Sequence, residues 1–105
     1  MQYREATRDL VGTGVLSTIQ VLAEPEPLRL WVVIECDLAT GVGLYVTATD
    51  APDSTHYITT LLQPGEKVVF SRTGDMPFSG AIYGTGFGGG IAGYRGGECY
   101  LERVG

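Results

Sequence analysis

Residues 61–102 read LLQPGEKVVFSRTGDMPFSGAIYGTGFGGGIAGYRGGECYLE. Gln63-Pro64-Gly65-Glu66 fits a type II turn, in which proline presets φ at the second position and glycine supplies the positive φ at the third. The turn feeds a strand over residues 67–72, with Val68 and Phe70 on one face. Thr73-Gly74-Asp75-Met76-Pro77 ends that strand, because glycine and proline both punctuate a ladder. Residues 78–83, FSGAIY, make the following strand. After a run of glycines, residues 98–104, ECYLERV, close the sheet. A turn and three short apolar strands point to an antiparallel β protein.

Working outward, the upstream chain repeats this grammar. Residues 15–23 carry Val15, Ile19 and Val21, and Glu24-Pro25-Glu26-Pro27 stops them, since neither proline has an N–H to donate. Residues 28–37, LRLWVVIECD, alternate cleanly. Leu30, Val32, Ile34 and Cys36 fall on a core face, and Arg29, Trp31, Val33 and Glu35 on the other. Ala39-Thr40-Gly41 turns the chain into residues 42–49, where Leu44, Val46 and Ala48 alternate with Tyr45, Thr47 and Thr49. A turn cluster at 50–54 precedes HYITTLL at 56–62. Seven strands at short spacing, with no helical period in any long segment and no internal repeat, predict an all-β fold. It is an antiparallel β-sandwich or jelly-roll-like barrel.

Residues 1–13, MQYREATRDLVGT, lack a clean apolar period, and the like-charged pairs Arg4/Arg8 and Glu5/Asp9 give a helix no support. They read as an extended N-terminal arm ahead of a sandwich domain at 14–105. The arm is either frayed or ordered on a neighbouring subunit. Tyr3, Leu10 and Val11 are its apolar anchors. Trp31 on the outer face of its strand, with Phe87, Ile91 and Tyr94 around the glycine run, complete the set of expected partner-contact residues.

Composition excludes several functions. A net charge of −5 with seven Lys and Arg scattered over the chain leaves no basic stripe, so nucleic acid is not an expected partner. The longest apolar run is far too short to span a bilayer, and Glu5 and Asp9 spoil any signal-peptide layout. A cytoplasmically made protein without a membrane partner is expected. Charged residues make up 18% of the chain, below the usual quarter or so, which leaves surface for contact with other chains. Cys36 and Cys99 sit on strands and read as buried thiols, with a disulfide open only if their strands are neighbours.

No constellation carries catalysis or holds a cofactor or metal, and the chain is not expected to be an enzyme. Gly84, Gly86 and Gly89 spell a GxGxxG, but IAGYRGG follows where the dinucleotide fingerprint needs a helix. The run reads instead as a loop between strands. His56, beside Asp53 and Ser54 in one turn, lacks the separation a catalytic triad requires. Asp50 and Asp53 miss the calcium-loop spacing, and Glu24 and Glu26 face no partner acid.

The segments LYVTATD, LLQPGEKVVF and GAIYGTG and the final LERV, spanning roughly residues 44–104, resemble the small β-sandwich virion proteins of tailed bacteriophages. There a PGE turn leads into a strand, an AIYG-like strand follows, and a short Glu-bearing strand closes the chain. The resemblance implies a head decoration or cement protein on the capsid surface. Its partner would be the major capsid protein or another virion protein, reached by a terminal arm, and such proteins are commonly homotrimers. The alternative is a tail or fibre module that binds a host-surface glycan through aromatics such as Trp31, Tyr45, Phe87 or Tyr94.

Overall fold

A computed structural model describes residues 2–15, 18–49, 57–71 and 79–105. Among them are eight strands: β1 Tyr3–Val15, β2 Gln20–Ala23, β3 Arg29–Cys36, β4 Leu44–Thr49, β5 Tyr57–Leu62, β6 Lys67–Ser71, β7 Ile82–Gly86 and β8 Ala92–Arg103. They form two antiparallel four-stranded sheets. The first, sheet A, has the order β1-β8-β3-β6, and the second, sheet B, the order β2-β7-β4-β5. Apart from the β4–β5 hairpin, every strand is followed by one in the opposite sheet. That is the strand order of an eight-stranded jelly roll, so the expected sandwich is present with one strand more than the sequence suggested.

The extra strand is β1. Residues 3–12 pair in unbroken register with β8, from Tyr3 opposite Arg103 to Gly12 opposite Tyr94. The stretch expected to be an arm is an edge strand of this chain's own sheet. Its charges alternate with a strand's period of two, and the row holding Arg4 and Arg8 meets Glu102 and Glu98 on β8. Opposite charges across a ladder stabilise pairing.

The core is the expected alternation except at Leu30, which is only half-buried and lies outside the core where the register of β3 shifts. Val32, Ile34 and Cys36 of β3 and Leu44, Val46 and Ala48 of β4 are completely buried, together with Ile82 and Ala92. Between the sheets, Leu22, Leu62 and Phe70 fill the remaining space. Gly65 has φ +87, as the type II turn requires, and the Glu66 side chain accepts the Gln63 N–H at 2.7 Å to lock it.

The glycine run is not the open loop its composition suggests. Gly84 and Gly86 lie in β7, and Gly93, Gly96 and Gly97 in β8, leaving residues 87–91, with a tight turn at Phe87–Gly89, between the strands. A Cβ on Gly96 would collide with the backbone carbonyl of Val33, and one on Gly84 would press on Leu22 at 2.7 Å. These glycines permit close approach of neighbouring elements, which is why they stand inside strands.

Candidate functional site

Among the described residues no group of His, Cys, Asp or Glu is arranged to hold a metal ion. His56, Asp50, Asp53 and Ser54 lie outside the described residues. Glu26 is committed to the backbone: its carboxylate accepts the Leu28 N–H, and its own N–H binds the Ser79 carbonyl.

One charged cluster is buried, and the sequence did not reveal it. Arg29 was expected on the outer face of β3. An irregularity in register between Arg29 and Trp31 rotates it inward, and it is 1% exposed. Its Nε donates to Glu98 at 2.8 Å, and its two terminal nitrogens donate to the carbonyls of Gly80 (2.9 Å) and Glu24 (2.7 Å). Glu98, also 1% exposed, accepts from Arg8 at 2.7 Å on its other oxygen. The Arg8 guanidinium lies 4.5 Å over the Tyr100 ring. Burial pulls its pKa down, but Tyr100 and Glu98 outweigh that and hold it above the ordinary value. Glu98 thus has an arginine on each of its oxygens and lies buried away from solvent. The cluster ties the proline loop, the approach to β7 and strands β1, β3 and β8 into one brace.

The outer faces of the two sheets differ. On sheet A, Trp31, Val33 and Val69 form an apolar centre beside Gly97, with Val33 opposite both Gly97 and Val69 in register. Trp31 is 38% and Val69 55% exposed. Charges ring this centre: the Arg95–Glu35 pair at 2.6 Å, then Lys67 opposite Glu35, and Asp9 opposite Gly97. An apolar centre inside a polar rim is the anatomy of a protein–protein contact.

On sheet B, the described outward residues carry no charge. Val21, Tyr83, Thr47 and Thr59 make one cross-strand row, and Thr85, Tyr45 and Leu61 the next. Across the β4–β7 pair, a tyrosine therefore stands opposite a threonine in both rows. A groove of about 450 Å³ runs over this lattice between Ile19, Tyr45, Tyr83 and the threonines. Thr47 and Thr59 share a hydroxyl hydrogen bond of 2.9 Å, and the Tyr45 ring rests against Phe87 at 5.9 Å.

The seven expected contact residues separate accordingly. Tyr3, Val11 and Trp31 lie on the outer side of sheet A and are exposed. Phe87 and Ile91, also exposed, flank the β7–β8 turn. Leu10 and Tyr94 do not belong to a surface. Leu10 is buried in the core opposite Gly96, and Tyr94 packs inward against the core, directly over Gly12. Once β1 joins the sheet, its even-numbered residues face in. Tyr83, which the sequence did not single out, is the residue that completes the groove.

Cys36 and Cys99 are both buried and free. Their strands are neighbours, as a disulfide would need, but Cys36 points into the core and Cys99 to the outer side beside Trp31. Burial pushes both thiols up, with Asp37, Glu35 and Glu66 adding to the effect on Cys36 and Glu5 to that on Cys99.

No family model and no curated protein matches this chain. Among solved structures it is similar to a chain from the Bacillus endospore appendages, which form a family of disulfide-linked pili. The superposition has a TM-score of 0.52 at 13% identity and covers 97% of this chain and 88% of that one. At that identity the likeness is one of fold. No helix among the described residues is long and apolar enough to cross a membrane.

Proposed function

We propose that this chain is a structural subunit that joins copies of itself, or a lattice of another protein, through the outer face of sheet A. The observation that carries this reading is the Trp31, Val33 and Val69 centre, set among Arg95, Glu35, Lys67 and Asp9. A tryptophan at the middle of an apolar patch is the residue type that most often dominates binding energy. Two further facts support the reading: among the described residues the buried charged side chains, Arg29 and Glu98, bond to each other within the fold, and the similar solved structure comes from a pilus. The resemblance to tailed-phage virion proteins directs the proposal to a head surface, with this chain as a decoration protein that adds avidity between capsid subunits.

The test is sedimentation equilibrium of the full chain across a concentration series, with and without Trp31→Ala and Val69→Asp, followed by co-sedimentation with undecorated phage heads. Self-association or head binding that both substitutions abolish is the expected result. A chain that stays monomeric up to about 1 mM, the weak limit of a specific contact, and leaves heads in the supernatant overturns it.

A further inference from the structure

We propose that the groove on the outer face of sheet B binds a short neutral oligosaccharide. The site lies on the side of the sandwich opposite the sheet A patch and does not rest on the assembly reading. Three features select this ligand class. In a chain of net charge −5, the described residues of this face include no Asp, Glu, Lys, Arg or His, so none of them offers a counter-charge to an ionic ligand or a phosphate. The lattice alternates aromatic rings with hydroxyls: Tyr83 stands opposite Thr47, and Tyr45 opposite Thr85. A pyranose has the matching pattern, a C–H face that stacks on an aromatic ring and a rim of hydroxyls that both donate and accept, as threonine does. Finally, the space suits a small ligand. About 450 Å³ falls within the range of small-molecule sites.

The site is also held in place before any ligand arrives. Both tyrosines sit on inner strands of the sheet, β4 and β7, and Phe87 supports the Tyr45 ring. The Thr47–Thr59 hydrogen bond fixes two hydroxyls at the groove floor. Binding therefore orders few side chains, which is the condition under which a shallow site retains affinity.

The experiment is amide-resolved NMR of the full chain titrated separately with cellotriose, maltotriose and chitotriose. At least one probe is expected to produce saturable shifts centred on Tyr45, Thr47, Thr59, Tyr83 and Thr85. Tyr83→Ala should weaken that binding about tenfold, the loss of one stacking partner. Thr59→Val, of similar size but without the hydroxyl, should weaken it severalfold while the amide spectrum of the free protein stays that of the folded chain. Trp31→Ala should leave it unchanged. Absence of saturable shifts with all three probes overturns the proposal. So do shifts at these residues that track protein concentration alone, because they assign the face to a second copy.

Discussion

Replacing Glu98 with alanine isolates the buried brace. It removes the carboxylate that the described residues pair with Arg29, whose guanidinium is 1% exposed. Deleting one partner of a buried pair typically costs about 3–5 kcal/mol. The low end applies here, because the Gly80 and Glu24 carbonyls still accept from Arg29. Arg8 contributes little to the loss, since it is 46% exposed and keeps Tyr100. An expected loss of about 3 kcal/mol is a large share of the roughly 5–15 kcal/mol that holds a domain folded. In urea, with a slope of about 1–3 kcal/mol per molar, the midpoint should fall by about 1–3 M. Trp31, the single tryptophan, reports the transition by fluorescence. Arg8→Ala should lose under about 1 kcal/mol. The double variant Arg29→Met with Glu98→Leu should lose less than Glu98→Ala, because no charge is then stranded. Two results would refute the reasoning: a loss under about 1 kcal/mol for Glu98→Ala, or a double variant as damaged as the two singles added together.

Further expectations concern the glycines and the thiols. Gly96→Ala should destabilise far more than Gly88→Ala. The first drives a Cβ into the Val33 backbone, whereas the second meets open space and pays only for φ +63, about 1 kcal/mol; comparable melting points would contradict this. Gly65→Ala, at φ +87, should lose a similar amount, read as a lower urea midpoint with an unchanged slope. Cys36, Cys99 and Tyr94 all have pKa values raised by burial, so the unfolded chain ionises first and stability falls as pH climbs above the unfolded values. The urea midpoint should be insensitive to these groups below about pH 8.5 and decline above it. Cys36→Ala with Cys99→Ala should flatten the first part of that decline. Native protein should accept a maleimide much more slowly than unfolded protein at neutral pH, and equal rates would show the thiols to be accessible.

The parts of the fold legible in the sequence were those in which side chains meet only apolar neighbours. The alternation of β3 and β4 and the Pro64-Gly65 turn follow from period and from backbone sterics, which are local properties. β1 was hidden because its inward row includes Arg4 and Arg8, and charges face inward only when a distant strand supplies Glu102 and Glu98. Arg29 was misassigned for a related reason: one irregularity in register reverses the face of a residue, and nothing adjacent in sequence marks it. The glycines of β7 and β8 looked like a loop because glycine's two uses, flexibility and close approach, share one letter. Of the surface features, Trp31 beside charged neighbours was readable as an outer-face residue. The groove was not, because Tyr45 and Tyr83 become neighbours only through the β4–β7 pairing.

The position of β8 has a consequence for biosynthesis. It is the last of the described strands and lies between β1 and β3, with the first strand on one side and the third on the other. While the ribosome is still translating residues 92–103, β1 has no neighbour in its own sheet, and β3 is left with β6 alone. Non-local pairing of this kind is slow and exposes unpaired edges while it waits. The nascent polypeptide therefore reaches β8 with sheet A unclosed. A chain truncated before residue 92 would lack the strand that joins β1 to β3 and could not assemble sheet A, and such products should be found with chaperones or in aggregates.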